Sequence, residues 1–357
     1  MRDPDARKPI LVTGGSGFIG SNLAADLLQD GHEVIVLDNL SRPGVEQNLD
    51  WLVARHGNMV HPARTGLSDT EALREAVADS SAVIHLAAQT AVTTSLASPV
   101  DDFEVNARGT LDLLEAVRAT GQAIPVVFAS TNKVYGGLED LGMAEGADSY
   151  VPEDPQVRDH GIGEDRPLDF CTPYGCSKGV ADQYVLDYAK SYGIPTAVLR
   201  MSCIYGPRQF GTEDQGWVAH FLIQALKGEP VTVYGNGKQV RDILHVSDAV
   251  AAYRTVLSDI HRLKGRAFNL GGGPRNAVSL LQVLREIETV AGRKLAAAFG
   301  DWRQGDQLFF VADTTRLSAE TGWQARVDWR DGLQDLADWL LANRPGLARP
   351  VPQRIRA

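Results

Sequence analysis

Cysteine is scarce in this chain: three among 357 residues, Cys171, Cys176 and Cys203, with no C-x-x-C pair. An odd, unpaired set argues against a disulfide framework and fits a reducing cytoplasm. Basic charge is also in deficit, 35 Lys and Arg against 45 Asp and Glu, for a formal net charge of -10. That disfavours a protein that grips nucleic acid through a diffuse cationic face, but not one that holds a small anion with a few arginines. No apolar run approaches the roughly 18–20 residues of a membrane span. The start, MRDPDARKPILVTGG, is charged and lacks the apolar core of a signal peptide. His32, His85, His220 and His245 do not cluster at ligand spacing, so no metal site is expected. There is no internal repeat.

What is present is a rhythm. ILVTGG (10–15) reads as a buried strand, FIGSNLAADLLQDG (18–31) as a helix stopped by glycine, and HEVIVLD (32–38) as a second strand. Helix 69–78, strand 82–88, helix 104–121, strand 124–130, helix 175–193 and strand 195–200 continue it. Strands alternating with helices predict an α/β fold with a parallel sheet covered on both faces. After Arg200 the pattern changes to a polar loop (206–217), a helix (217–227), a strand (231–235), a strand-to-helix passage (242–257) and a strand with a glycine exit (266–273). We expect a nucleotide-binding domain over 8–200, joined again by 238–262, and a smaller substrate lobe from 201–237 and 263–342. The Pro- and Arg-rich end, 343–357, is expected to be disordered. Residues 138–170 are acidic, glycine-rich and aperiodic, which reads as a loop acting as a lid or as a solvated insertion.

TGGSGFIG places Gly14, Gly17 and Gly20 as G-x-x-G-x-x-G between a strand and a helix. Glycines there allow a tight turn and let backbone amides approach a pyrophosphate at the helix N-terminus. Asp38 follows at the end of the next strand, where a carboxylate can accept from an adenosine ribose diol and repel a 2'-phosphate. That favours NAD over NADP, with Arg42 nearby pulling the other way.

YGCSK sets Tyr174 and Lys178 four residues apart, on one helix face. A phenol ionises near pH 10, too high for a base at neutral pH. A neighbouring ammonium and a cationic nicotinamide would both favour the phenolate. Tyr174 then becomes a candidate base, Lys178 its charge partner and a ribose ligand, and Thr131, at the end of a central strand, a hydrogen-bond partner of the same substrate oxygen.

Together TGGSGFIG, Asp38, HLAAQ (85–89), Asn106 in NARGT, Thr131, Tyr174, Lys178, IYGPR (204–208) and VRDILHVSD (240–248) resemble the extended short-chain dehydrogenase/reductase family of nucleotide-sugar epimerases and dehydratases. The longer strings STNKVYG, DFCTPYGCSKGVADQYVLDYA and YGPRQFGTEDQGW are similar to the branch that inverts C2 of a CDP-linked sugar. The resemblance spans roughly residues 8–340. It implies a seven-stranded Rossmann domain with a small substrate lobe, tightly held NAD, and a homodimer. Cofactor contacts are implied for Gly14, Gly17, Phe18, Ile19, Gly20, Asp38, Asn39, Ser41, Arg42, Leu86, Ala87, Ala88, Gln89, Asn106, Ser130, Tyr174, Lys178 and Met201. Substrate contacts are implied for Thr93, Thr131, Asn132, Arg208, Gln209, Gln215, Arg241, Arg303 and Asp306, with the arginines on the diphosphate and Asp306 on the nucleotide ribose. Helices 104–119 and 175–191 carry apolar faces that could pair across a two-fold axis.

Dehydratases of this family place Asp-Glu after the threonine, because elimination needs an acid for the leaving hydroxyl and a base for the proton alpha to the ketone. Asn132 and Lys133 stand there instead. Asn132 is expected to contact the sugar and Lys133 to be a surface charge. Redox chemistry alone then remains, oxidation of a carbinol and return of the hydride to the other face. The base does not decide between C2 and C4. A UDP-sugar 4-epimerase, a 4,6-dehydratase and a non-catalytic NAD-binding protein are the alternatives. Ala63 occupies the place of an adenine-contacting Asp in many relatives, leaving Thr65 as a substitute. Cys203 stands where 4-epimerases often carry Asn, and Cys171 could line the sugar pocket.

Overall fold

The computed structural model describes residues 8–347. The first half alternates as expected: β1 (Ile10–Thr13), α1 (Phe18–Gln29), β2 (Val34–Leu37), α2 (Val45–His56), β3 (Val60–Ala63), α3 (Thr70–Ala78) and β4 (Ala82–His85). Short helices α4 (Val92–Ala97) and α5 (Pro99–Phe103) precede α6 (Gly109–Ala119) and β5 (Val126–Thr131). The periodicity that predicts one helix over 104–121 misses a π-helical turn at Glu104–Arg108, which puts Asn106 on the inward face. Such turns are a local distortion that hydrophobic spacing does not report.

Residues 138–170 are irregular over much of their length but carry regular elements. They form the hairpin β6 (Met143–Glu145) and β7 (Tyr150–Pro152) and the helix α7 (Pro155–His160). Leu138 and Ile162 are buried with Val134, Tyr135, Phe310 and Ala312. The apolar residues are too sparse for a periodic pattern, yet each fills a place between the two lobes. Next come α8 (Thr172–Ser191), β8 (Thr196–Met201), β9 (Cys203–Tyr205), α9 (Trp217–Lys227), β10 (Val231–Tyr234), β11 (Val240–His245), α10 (Val246–Ser258), α11 (Ile260–Leu263) and β12 (Arg266–Leu270). The chain closes with β13 (Ala277–Ser279), α12 (Leu280–Ala291), β14 (Ala297–Gly300), β15 (Phe309–Phe310), α13 (Thr315–Thr321) and α14 (Trp329–Asn343).

The main sheet is parallel, with order β12-β8-β5-β4-β1-β2-β3. Its central strands are buried along their whole length, as both-face coverage requires. Order reverses between β1 and β4, and ligands of open α/β sheets sit in the crevice at the carboxyl ends of the strands there. A second sheet pairs β11 with β9, β13 and β15, and its core with α9, α12 and α14 is separate from the main one.

Two domain boundaries are corrected. Residues 266–270 belong to the main sheet as its edge strand, paired along β8, although they fall in the span assigned to the smaller lobe. Conversely, 240–245 builds the smaller lobe's sheet, while α10 returns to the main core, where Ala249, Val250, Ala252 and Tyr253 are buried. Of the end read as disordered, Asn343 closes α14, and 348–357 lie outside the described residues. Among the described residues no helix is long and apolar enough to cross a membrane.

Candidate active site

The parallel sheet brings the ends of β1, β2, β4, β5 and β8 to one edge. Gly14, Gly17, Phe18, Ile19, Gly20, Asp38, Leu86–Gln89, Ser130, Thr131 and Met201 therefore meet along that edge, though they are far apart in the chain. Gly14 has φ +67°, and a Cβ there would lie 2.8 Å from the Ala87 nitrogen; a Cβ at Gly20 would lie 2.2 Å from the Gly14 oxygen. These glycines let the β4 exit and the first turn of α1 close on the β1 exit. Gly17 is the N-cap of α1 and offers no side-chain cap, which leaves that turn's amides to a ligand. The Ser16 hydroxyl is buried with no protein partner. A cradle with open amides, an orphan hydroxyl and an acid at its rim fits the pyrophosphate and ribose of a dinucleotide.

Asp38 Oδ2 accepts from the Ser16 amide (3.0 Å) and Oδ1 from Leu40 (2.9 Å), so it also ties the β2 exit to the glycine turn. Burial raises its pKa against those amides. Asn39 accepts from the Ser41 amide (3.1 Å), while Ser41 and Arg42 stay exposed. Thr65, proposed for adenine, instead donates its hydroxyl to Asp69 (3.2 Å), the N-cap of α3.

Asn106 acts on the β4 exit rather than outward. Its side chain accepts from the Gln89 amide (2.9 Å) and donates to the Gln89 carbonyl (3.0 Å), and Asp102 and Ser177 complete the cluster. His85, between Thr13 (2.7 Å) and Thr110 (3.0 Å), is held neutral by burial, its pKa lowered to about 3. Neither role could be read from spacing, since the partners come from three different elements. Ser130 likewise turns inward: its hydroxyl donates to Asp182 (2.7 Å), which is paired with Arg200 (3.0 Å) in the core.

Thr131, at the end of β5, and Tyr174 and Lys178, one turn apart on α8, are all buried. The Thr131 hydroxyl lies near enough to Tyr174 to favour its phenolate; it donates to the Asn132 side-chain oxygen (3.3 Å) and accepts from the Lys133 amide (3.3 Å). The Lys178 ammonium lies 4.1 Å from the Phe128 ring centroid. Burial pushes the Tyr174 pKa up to about 12, with only Thr131 pulling it down. Lys178 is lowered to about 7, again by burial, against Asp182 and Asp102. In a dry site each charged form is penalised until a compensating charge arrives.

The substrate candidates divide. Asn132 donates to Gln307 (3.0 Å) and faces the smaller lobe. Lys133 is not a surface charge: its ammonium donates to the Gly305 carbonyl (3.0 Å) and stands 3.9 Å from Asp306. Asp306 is also held by Arg241, through the same oxygen (2.6 Å). Arg303 is on the same turn, with its guanidinium 3.9 Å above the Tyr234 ring and hydrogen bonds to Glu213 and Asp214. Arg208 is set apart from these. It follows β9 near the His245 end of β11, with φ 70° and its guanidinium 3.0 Å over Trp51 and 5.9 Å from Trp339. Gln215 reaches across to Thr90. Thr93 Oγ1 and Gln209 Oε1 are buried without partners. Cys203 accepts from the Trp217 indole (3.5 Å), and Cys171 is partly buried beside Gly305.

This arrangement, a dinucleotide cradle beside a Thr–Tyr–Lys cluster facing a second lobe, defines a redox enzyme of the short-chain dehydrogenase type. Residues 10–271 match the NAD dependent epimerase/dehydratase family, and the chain belongs to it. It is an enzyme whose cofactor is NAD. It is 43% identical to CDP-paratose 2-epimerase of Salmonella typhi, over 92% of this chain and 98% of that protein. A putative UDP-glucose 4-epimerase of Methanocaldococcus jannaschii is 30% identical, over 94% and 99%. Among solved structures, the Thermus thermophilus UDP-glucose 4-epimerase complex with NAD superposes with a TM-score of 0.79 at 33% identity, covering 94% of this chain and 99% of that one.

Proposed function

We propose that the chain is a nucleotide-sugar epimerase that inverts C2 of a CDP-linked hexose or 6-deoxyhexose through a transient keto sugar. One observation carries the reading: the buried Thr131 and Tyr174 hydroxyls stand beside an amide and an ammonium, Asn132 and Lys133, where elimination needs an acid and a carboxylate. The nearest carboxylate to Lys133, Asp306, is engaged by Arg241. The similarity to the CDP-paratose 2-epimerase supports C2 and CDP.

Bound NAD supplies the hydride acceptor and, on return, the donor. Tyr174, as phenolate, takes the proton from the sugar hydroxyl on oxidation and gives it back on reduction. Thr131 donates to the reacting oxygen and orients it. Lys178 supplies positive charge that offsets the cost of a buried phenolate and would donate to the nicotinamide ribose. Inversion requires the keto sugar to present its other face between the two transfers without leaving the cleft. The cradle residues named above hold the cofactor, with Asn106 and Ser130 acting through Gln89 and Asp182. Arg241 and Arg303 are the diphosphate candidates.

The test is incubation with CDP- and UDP-hexoses in turn, with the product's carbon stereochemistry read by NMR. Inversion at C2 of a CDP-sugar is expected. Inversion at C4 of a UDP-sugar would transfer the reading to the 4-epimerases, and loss of water to the dehydratases.

We further infer a homodimer in the cytoplasm. Val100 (69% exposed), Phe103 (50%) and Tyr184 (42%) are exposed apolar residues, as are Leu96 and Val105, on α4, α5, the π turn and α8, and Phe170 just before α8. Exposed apolar patches on single chains mark interaction sites. Light scattering after size exclusion should give twice the chain mass, 38.6 kDa. Three free thiols suit a reducing compartment.

A further inference from the structure

The segment 305–307 crosses from the smaller lobe to the end of β5. Lys133 donates to the Gly305 carbonyl (3.0 Å), Asn132 donates to Gln307 (3.0 Å), and Gln307 donates to the Gly136 carbonyl (2.6 Å). Asp306, between them, binds Arg241 at 2.6 Å and faces Lys133 at 3.9 Å, while its amide donates to the Arg303 carbonyl (3.2 Å). The strap thus carries the cationic groups of the smaller lobe on one side. On the other it is stapled to the two residues that follow Thr131. Lys133 is the charged staple: its side chain is 19% exposed and its ammonium has one carboxylate to share with Arg241.

We propose that Lys133 is a positioning residue: by holding the 305–307 strap against the end of β5, it fixes which carbon of the sugar reaches Tyr174. This rests on the epimerase reading. A nucleotide sugar is anchored through its diphosphate, and the reacting carbon is a fixed number of bonds away. The spacing between the diphosphate anchor and Tyr174 therefore selects the carbon. Neighbouring carbons differ by about 1.5 Å, and a misplacement of about 1 Å lowers the rate on the order of 100-fold. A strap free to drift on that scale would let sugar bind without placing C2, and would release the keto sugar before its return.

The experiment compares wild-type enzyme with Lys133→Met, which keeps the length of the stem and removes the charge and the donor. Cofactor content, thermal stability, kcat, KM for the CDP-sugar, inhibition by CDP alone and the build-up of reduced nicotinamide are measured together. We expect unchanged cofactor content, CDP inhibition within about threefold of wild type, kcat lower by about 100-fold, and reduced nicotinamide accumulating during turnover. A kcat within about threefold of wild type would overturn the proposal. So would a loss of CDP inhibition with kcat preserved, which would make Lys133 an anion ligand instead. If Lys133→Met does not fold, Gln307→Leu, which cuts the other staple, is read by the same criteria. Wild-type enzyme that inverts no sugar would defeat the epimerase reading itself and is distinguished by that control.

Discussion

Replacing Tyr174 by Phe tests the proton transfer most directly. The phenol is buried and its pKa is pushed up to about 12. Ionising it at pH 7 is then uphill by roughly 7 kcal/mol, five pKa units at about 1.4 kcal/mol each. A site that uses this group must recover most of that from charges beside it, and Lys178, one helical turn away, is the chain's own contribution. Phe keeps the ring and its packing and deletes the oxygen that moves the proton. General base catalysis is worth about 10²–10⁴ in rate, so turnover should fall on the order of 10³-fold, about 4 kcal/mol of barrier. Stability should change by only about 1 kcal/mol, the net worth of one lost hydrogen bond. The assay is single-turnover appearance of reduced nicotinamide with saturating nucleotide sugar, alongside cofactor content and a thermal melt. The wild-type rate should climb with pH below the Tyr174 pKa, as phenolate becomes easier to form, while the variant should lack that rise. Turnover within about tenfold of wild type, or an unchanged pH profile, would refute the mechanism.

Gly20→Ala should abolish copurifying NAD, because its Cβ would fall 2.2 Å from the Gly14 oxygen; absorbance and mass analysis of the extracted cofactor check this. His85, neutral in the fold with a pKa of about 3, refuses a proton that the unfolded chain accepts near pH 6.5. Its stabilising contribution is thus complete above about pH 6.5 and lost as pH falls toward 3. Acidifying from pH 7 to pH 5 should remove roughly 2 kcal/mol through this group, and denaturant melts of His85→Gln should show a flatter dependence. Asp182→Asn leaves the buried Arg200 guanidinium without its partner and should destabilise by about 3–5 kcal/mol, measured by chemical denaturation, with Ser130 losing its acceptor as well.

Much of the site was legible because its pieces are local. A glycine turn between strand and helix, an acid at the end of the next strand, and a Tyr and Lys on one helical face are short-range patterns whose chemistry follows from residue type. Lys133 shows where that reading stops. Beside Thr131 in a polar string it looks like a solvated charge, and it becomes a buried staple only because the chain returns 172 residues later at Gly305. The partners of Asp306, Arg241 and Lys133, were hidden for the same reason: they are remote in sequence. Residues 138–170 lacked periodicity because they fill a gap between lobes and do not repeat along a face. Strand β12 was assigned to the wrong lobe since an edge strand looks alike in either sheet.

By itself the sequence determined the alternating α/β order, the glycine turn, the acid at the end of the next strand and the Tyr–Lys pair on one helical face, since each depends on interactions within about one turn, strand or loop. The tertiary structure alone decided which polar groups face the cleft and which are consumed inside the protein. Asn106, Ser130, Arg208 and Asp306 all look available in the chain. Each has a partner chosen by packing, and a buried polar group takes whatever partner the fold brings to it, because leaving it unpaired costs more than any local preference can supply.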